Sequence, residues 1–92
     1  MAGVLCERVG AGMRPSERAV TVQDVRGHSE LILVEHDFLT VQGDRTYLPV
    51  GVVFIDRDRA VVLVEFPHEP LTGGNRVWVR ASDVIGVNGV KV

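Results

Sequence analysis

The stretch that decides the fold runs from Tyr47 to Ile55 and reads Tyr-Leu-Pro-Val-Gly-Val-Val-Phe-Ile. It is almost continuously apolar, and its short length favours a strand over a helix. Pro49 has no backbone N–H for a ladder, so we expect it at a strand start, an edge or a bulge. Gly51 fits a sharp bend of the kind that small barrels use at their corners. The stretch therefore predicts a strand that bends.

The residues that follow predict an antiparallel hairpin and a further strand. Asp56-Arg57-Asp58-Arg59 is a charged turn between two apolar runs, of which the second is Ala60 to Phe66. After a loop from Pro67 to Asn75, the sequence Arg76-Val77-Trp78-Val79-Arg80 alternates as a half-buried strand does. Ala81 to Val84 then predicts a single 3-10 or helical turn.

The N-terminal half predicts a second hairpin. Arg18 to Arg26 alternates in part, and Glu30 to His36 is a short apolar run. The turn between them contains Gly27, which accepts a positive φ. Glu35 to Leu39 predicts a bend or one helical turn, and Gln42 to Arg45 predicts a tight turn.

The complete pattern predicts an all-β fold: a small antiparallel barrel of about six short strands with a 3-10 turn near the C-terminus. Residues 1–15 contain Gly3, Gly10 and Gly12 and show little periodicity. They predict a flexible N-terminal tail before a single β-barrel domain of residues 16–92. Met13 is a second candidate for the true start, so the sequence leaves the choice between Met1 and Met13 open. Asn88-Gly89 is a dipeptide typical of hairpins.

Composition limits the functions that this chain can have. Its 92 residues carry a net charge of −2, and its arginines are scattered among acidic residues, so we expect no nucleic-acid partner. Cys6 is the only cysteine, which excludes an internal disulfide and a cysteine-based metal site. The sequence contains no apolar run long enough to span a bilayer, and because its first residues lack a basic segment followed by an apolar one, we expect no signal peptide. We expect a cytoplasmic protein with no membrane partner and no cofactor.

The second half of the chain resembles a known kind of small barrel. Its features are, in order, Val50-Gly51-Val52-Val53, the strand Ala60 to Val64, the segment Gly73 to Val79, the turn Ala81 to Val84 and the final Gly86 to Val92. This order is similar to that of PRC-barrel-like and, more broadly, SH3-like barrels. The resemblance implies an adaptor that binds protein or nucleoprotein partners and is not itself catalytic. Val22 to Gly27 departs from the glycine-rich pattern with which PRC-barrel domains usually open.

A candidate binding surface lies on the strand that contains Trp78. Val77 and Val79 face one side of this strand, and Arg76, Trp78 and Arg80 face the other. If the valines are in the core, Trp78 lies exposed between two arginines, and these residue types are enriched at protein-binding hot spots. The inverted arrangement, with Trp78 in the core, stays open. Phe66 is expected to extend the same apolar patch.

The histidines form an alternative candidate site. His28, His36 and His68 each have a carboxylate nearby in sequence, and together they could bind a divalent metal or a small ligand. Their spacing matches no dedicated metal motif. The chain also has no Gly-x-Ser-x-Gly elbow, so we do not expect an enzyme. The sequence therefore predicts a non-catalytic interaction or accessory module that binds a protein partner or itself.

Overall fold

Antiparallel strands make up most of the computed structural model, which describes residues 2–86. The described strands are β1 (Ala2–Leu5), β2 (Arg8–Ala11), β3 (Glu17–Gln23), β4 (Ser29–Glu35), β5 (Thr40–Gln42), β6 (Arg45–Asp56), β7 (Val61–Glu65), β8 (Arg76–Arg80) and β9 (Val84–Ile85). Two single 3-10 turns span His36–Phe38 and Ala81–Asp83. The predicted all-β class and the 3-10 turn near the C-terminus are confirmed, although the described residues form nine strands where about six were expected.

The strands form two sheets. One has the order β8-β7-β6-β1-β9, with β5 also paired to β6, and the other has the order β2-β3-β4. The long strand β6 contains the whole apolar run from Tyr47 to Ile55 and pairs with three strands. It therefore organises the larger sheet.

Pro49 occupies a position in β6 where its missing N–H costs nothing. One edge of β6 pairs with β1, where Pro49 lies opposite Gly3. On the other edge, the pairing with β5 reaches Tyr47, opposite the first residue of β5, and the pairing with β7 starts at Gly51, opposite the last residue of β7. The nitrogen of Pro49 faces this gap, because Cys6 donates its N–H to the Thr46 carbonyl and hydrogen-bonded pairs alternate along an antiparallel ladder. Of the three positions expected for this proline, a strand start, an edge or a bulge, the structure shows a local edge.

Both sheets contribute side chains to one hydrophobic core. The fully buried residues of this core are mostly valines: Val4, Val20, Val22, Ile32, Leu48, Val62, Val64 and Val79. β-branched side chains pack well on a pleated surface, which explains why a chain with few aromatic residues can still fill its interior. The described residues contain no buried polar or charged side chain.

The prediction of a flexible tail over residues 1–15 is wrong for residues 2–11, which form β1 and β2. Strand β1 lies between β6 and β9, and its Val4 is fully buried. Strand β2 pairs with β3. A Cβ added to Gly12 would lie 2.8 Å from the backbone carbonyl carbon of Glu17. Gly12 therefore permits a close approach to Glu17 at the start of β3, and at this position the glycine indicates close packing and not flexibility.

The predicted hairpin of β3 and β4 is confirmed. Its register runs from Glu17 opposite Glu35 to Gln23 opposite Ser29. Gly27 has a φ of +87° in the turn, and the Asp24 carboxylate accepts the backbone N–H of His28 at 2.9 Å.

The turn of this hairpin also touches the larger sheet, because Val25 donates its N–H to the carbonyl of Trp78 at 2.9 Å. Trp78 belongs to β8, so this bond ties the β3–β4 turn to the strand that carries the candidate surface.

None of the helical turns described between residues 2 and 86 is long and apolar enough to cross a membrane. The Asn88-Gly89 dipeptide, together with the rest of the predicted final segment after Gly86, lies outside the described residues.

Candidate protein-binding surface

A β-bulge in β6 decides which of its side chains face outwards. Val52 lies opposite Val64 and Phe54 lies opposite Leu63, so Val53 is the extra residue between them. Val52 and Ile55 pack against the core, whereas Val53 is 41% and Phe54 is 57% exposed. A bulge re-aims side chains in this way. Without it, regular alternation from Val52 would place Phe54 inside, so the bulge puts two consecutive apolar residues on the outer face.

Strand β8 presents Trp78 on this same outer face. Val79 is fully buried and Val77 packs against the core, whereas Arg76, Trp78 and Arg80 are exposed. This is the arrangement with the valines in the core, and the inverted one is excluded. Trp78 is 36% exposed, because neighbouring side chains cover part of its ring.

The apolar residues of the outer face form a row across three strands. Phe54 of β6 lies opposite Leu63 of β7, and Leu63 lies opposite Trp78 of β8. The rings of Phe54 and Trp78 meet edge to face, with centroids 6.0 Å apart and an interplanar angle of 82°. Such aromatic pairs are favourable by about 1 kcal/mol beyond the area that they bury. We call the outer-face residues Val53, Phe54, Leu63, Arg76, Trp78 and Arg80 the Trp78 surface.

Charged residues flank the apolar row on both sides. On one side, Arg76 Nε donates to Glu65 Oε1 at 2.8 Å across the β7–β8 pair. On the other side, Arg80 lies 3.3 Å from Asp83 Oδ2 and 3.4 Å from Gln23 Oε1, which are long distances for hydrogen bonds. Exposed ion pairs of this kind add little to stability. Arg80 therefore retains the capacity to bind a better acceptor.

Phe66 does not belong to the Trp78 surface, which corrects the prediction. Its side chain is only 2% exposed and lies in the core. The reason is the two-residue period of a strand: Val62, Val64 and Phe66 all face inwards from β7 and its end. The Phe66 N–H donates to the Asn75 carbonyl at 2.7 Å and so closes the loop before β8.

The structure does not bring His28, His36 and His68 together. His28 precedes β4 and His36 follows it, so the seven residues of that strand separate them by roughly 25 Å. His36 Nε2 lies 2.8 Å from Asp37 Oδ1, and His68 stacks on Phe38 with ring centroids 6.2 Å apart. In residues 2–86, no group of three or more His, Cys, Asp or Glu side chains could hold a metal ion. The geometry therefore gives no support to the alternative metal site.

Cys6 is a core residue rather than a reactive thiol. It is buried, and burial raises the pKa of its thiol to about 12. The thiolate is the reactive form of cysteine, so this side chain is protonated and inert in the folded protein at neutral pH.

An open groove of about 610 Å³ lies beside Phe66, between the end of β7 and the middle of β6. Its lining is mostly apolar and includes Pro49, Val52 and Pro67, with Glu65 as the charged member. The lining that residues 2–86 provide contains no converging set of polar groups of the kind that orients a small-molecule ligand. The Trp78 surface is consequently the stronger candidate for binding.

Sequence reasoning identified Arg76, Trp78 and Arg80 but missed Val53, Phe54 and Leu63. The bulge that exposes the first two leaves no trace in a continuous apolar run, where either phase of alternation fits. Leu63 could have been found, because it lies an odd number of residues from the buried positions of the same strand.

The chain matches no protein-family model, and neither the curated proteins nor the solved structures give a significant match.

Proposed function

We propose that this chain is a non-catalytic protein-interaction module that binds a protein partner through the Trp78 surface. The observation that carries the proposal is the bulge in β6, which exposes Phe54 against the ring of Trp78. An isolated exposed apolar residue is ordinary, but a row of two aromatic rings around a leucine is a cluster. Tryptophan and arginine are the residue types that most often dominate binding energy at interfaces.

The shape of the surface also supports a protein partner. It is a sheet face carried by three paired strands, so its side chains are held by a rigid scaffold and lose little freedom on binding. Its centre is apolar and its margin is charged, which is the usual composition of a protein interface. The adaptor role implied by the resemblance to PRC-barrel-like and SH3-like barrels agrees with this proposal.

Site-specific photo-crosslinking tests the proposal whatever the identity of the partner. A benzophenone side chain replaces Phe54 in one variant, and it replaces Val41 in a control variant. Val41 is 67% exposed on β5 and lies outside the Trp78 surface. We expect crosslinks to a discrete protein, or to the chain itself, from position 54 and not from position 41.

A second substitution makes the test specific. Trp78→Ala, combined with the benzophenone at position 54, is expected to remove the crosslink while the circular dichroism spectrum stays that of a folded β-protein. Equal crosslinking from positions 41 and 54, or no crosslink from either, would contradict the proposal.

A further inference from the structure

We propose that the partner is a second copy of this chain, packed face to face on the Trp78 surface about a two-fold axis that runs along β7. This inference rests on the proposed function, because it uses the same surface. A two-fold interface requires a surface that is complementary to itself. The apolar centre of the Trp78 surface meets this condition. The charged margin that contains Arg80 determines whether the two-fold axis runs along the strands or across them.

The relevant side chains form two parallel rows on the outer face. The apolar row is Phe54, Leu63 and Trp78, one residue on each of β6, β7 and β8. The next row along the strands is Asp56, Val61 and Arg80 in the same strand order. In each row β7 holds an aliphatic residue. The strands β6 and β8 hold two aromatic residues in the first row and two residues of opposite charge in the second.

A two-fold axis along β7 exchanges the positions of β6 and β8 between the two copies. Phe54 then faces the second copy's Trp78, and Leu63 faces the second copy's Leu63. In the neighbouring row, Asp56 faces the second copy's Arg80, which makes two symmetry-related ion pairs per dimer. Among residues 2–86, Arg80 makes only long contacts. The Asp56 Oδ1 atom accepts the backbone N–H of Arg59 at 3.1 Å, but its Oδ2 atom has only a distant contact with Arg59 Nε at 3.9 Å among those residues, so Oδ2 is the atom that can bind the second copy's Arg80.

The other face-to-face arrangement has the two-fold axis across the strands, and charge disfavours it. That axis would place Arg80 against the second copy's Arg76, because β8 would then pack on β8 with the rows exchanged. Like charges placed opposite each other are costly and act against the wrong arrangement. With the axis along β7, the one like-charge contact is Glu65 against the second copy's Glu65. The Glu65–Arg76 ion pair at 2.8 Å weakens that repulsion as it weakens the repulsion between Arg80 and Arg76, so the two Asp56–Arg80 pairs decide between the arrangements.

The size of the face predicts a weak dimer. Three strands of about five residues cover roughly 15 by 17 Å, which is well below the surface of about 800 Å² per partner in a stable complex. We therefore expect a dissociation constant on the order of 100 µM, so the dimer forms at high protein concentration and is lost on dilution.

Complementary charge reversal is the decisive experiment. Asp56→Lys places a lysine against the second copy's Arg80, and Arg80→Glu places a glutamate against the second copy's Asp56. For each variant alone, the association constant of the dimer measured by sedimentation equilibrium is expected to fall at least tenfold. In an equal mixture, the lysine of one chain meets the glutamate of the other and the remaining wild-type pair is intact. The mixture is therefore expected to regain dimer, and a mixture no more associated than its components would overturn the inference.

A crosslinking variant tests the axis independently of charge. Leu63→Cys brings two thiols close to each other across an axis along β7, within reach of a short bismaleimide because facing sheets pack about 10 Å apart. Cys6 does not compete, because its thiol is buried and protonated. We expect a crosslinked dimer from Leu63→Cys and none from the control Val41→Cys at the same concentration, and equal yields would overturn the inference.

The outcomes separate this inference from the proposed function. If the wild-type chain stays a monomer at millimolar concentration while position 54 crosslinks to another protein, self-association is wrong and the interaction module stands. If position 54 crosslinks to nothing and the chain stays a monomer, both are wrong.

Discussion

The inner and outer faces of the sheet formed by β6, β7 and β8 are built from similar residues and have opposite roles. On β7, Val62 is fully buried, whereas its neighbour Leu63 lies in the apolar row between Phe54 and Trp78. Both residues are aliphatic, and only the direction of the side chain differs. The outer face also carries a continuous apolar row. Apolar character alone therefore does not show whether a residue of this sheet stabilises the core or is available to bind a partner.

The largest difference between the two faces is expected from adjacent aspartate substitutions on β7. Val62→Asp buries an unpaired carboxylate, which costs about 4 kcal/mol or more and leaves the chain mostly unfolded. Leu63→Asp places the same group on the outer face, with an expected cost of about 1 kcal/mol and a loss of partner binding. Urea unfolding and the crosslinking yield from position 54 measure the two effects. Similar unfolding midpoints for the two variants would remove the distinction between the faces.

A smaller difference in the free energy of unfolding is expected between a buried and an exposed valine on the two N-terminal strands, β1 and β2. Val4→Ala removes two methyl groups from a fully buried position in β1 and is expected to lower the free energy of unfolding by about 2 kcal/mol. Val9→Ala is the matched control on β2, where the side chain is 44% exposed, and should cost less than about 0.5 kcal/mol. Chemical denaturation of both variants gives the comparison. Equal losses would mean that β1 is no more buried than β2.

The aromatic pair on the outer face should contribute a coupling of about 1 kcal/mol to stability. It is measured by a double-mutant cycle of Phe54→Ala, Trp78→Ala and the combined variant. The edge-to-face contact at 6.0 Å predicts that the second substitution costs less than it does alone. Strict additivity would show that the rings do not interact in solution and that the row is less well ordered than the structure shows.

The thiol of Cys6 is expected to have the smallest effect on the free energy of unfolding at neutral pH and a clear effect at alkaline pH. Burial raises the pKa of its thiol from 9.0 to about 12, whereas the unfolded chain ionises near the ordinary value. The folded state therefore holds the proton more tightly, and the contribution of this thiol to stability should be constant below pH 9 and should fall as the pH rises from 9 towards 12. The Cys6→Ala variant should show a shallower decline over this range, since only the other groups titrate. Identical profiles would place the thiol in solvent.

The hairpins and the turns could be predicted from the sequence because their signals are local. The β3–β4 turn with Gly27 and the alternation of valines around Trp78 each depend on residues a few positions apart. The position of Pro49 followed from its missing donor. In these places local chemistry and the final pairing agree.

The ordered N-terminus and the bulge could not be predicted, because both depend on distant strands. Gly12 has the same appearance in sequence whether it permits motion or a close contact with Glu17. Val53 could be an outward or an inward residue until the partners Val64 and Leu63 fix the register of β6. The sequence therefore predicts only part of the candidate surface. The alternation within β8 identifies its two arginines and Trp78, and the same alternation within β7 could have identified Leu63. Phe54 could be placed on the surface only once the pairing of β6 with β7 was known.

Strand β1 has a consequence for the order in which the molecule can assemble. Its Gly3 pairs with Ile85 on one side and with Pro49 on the other, so the first described strand to leave the ribosome waits for the last one before the sheet is complete. Such distant pairings raise the contact order, and proteins dominated by them fold in milliseconds to seconds rather than microseconds.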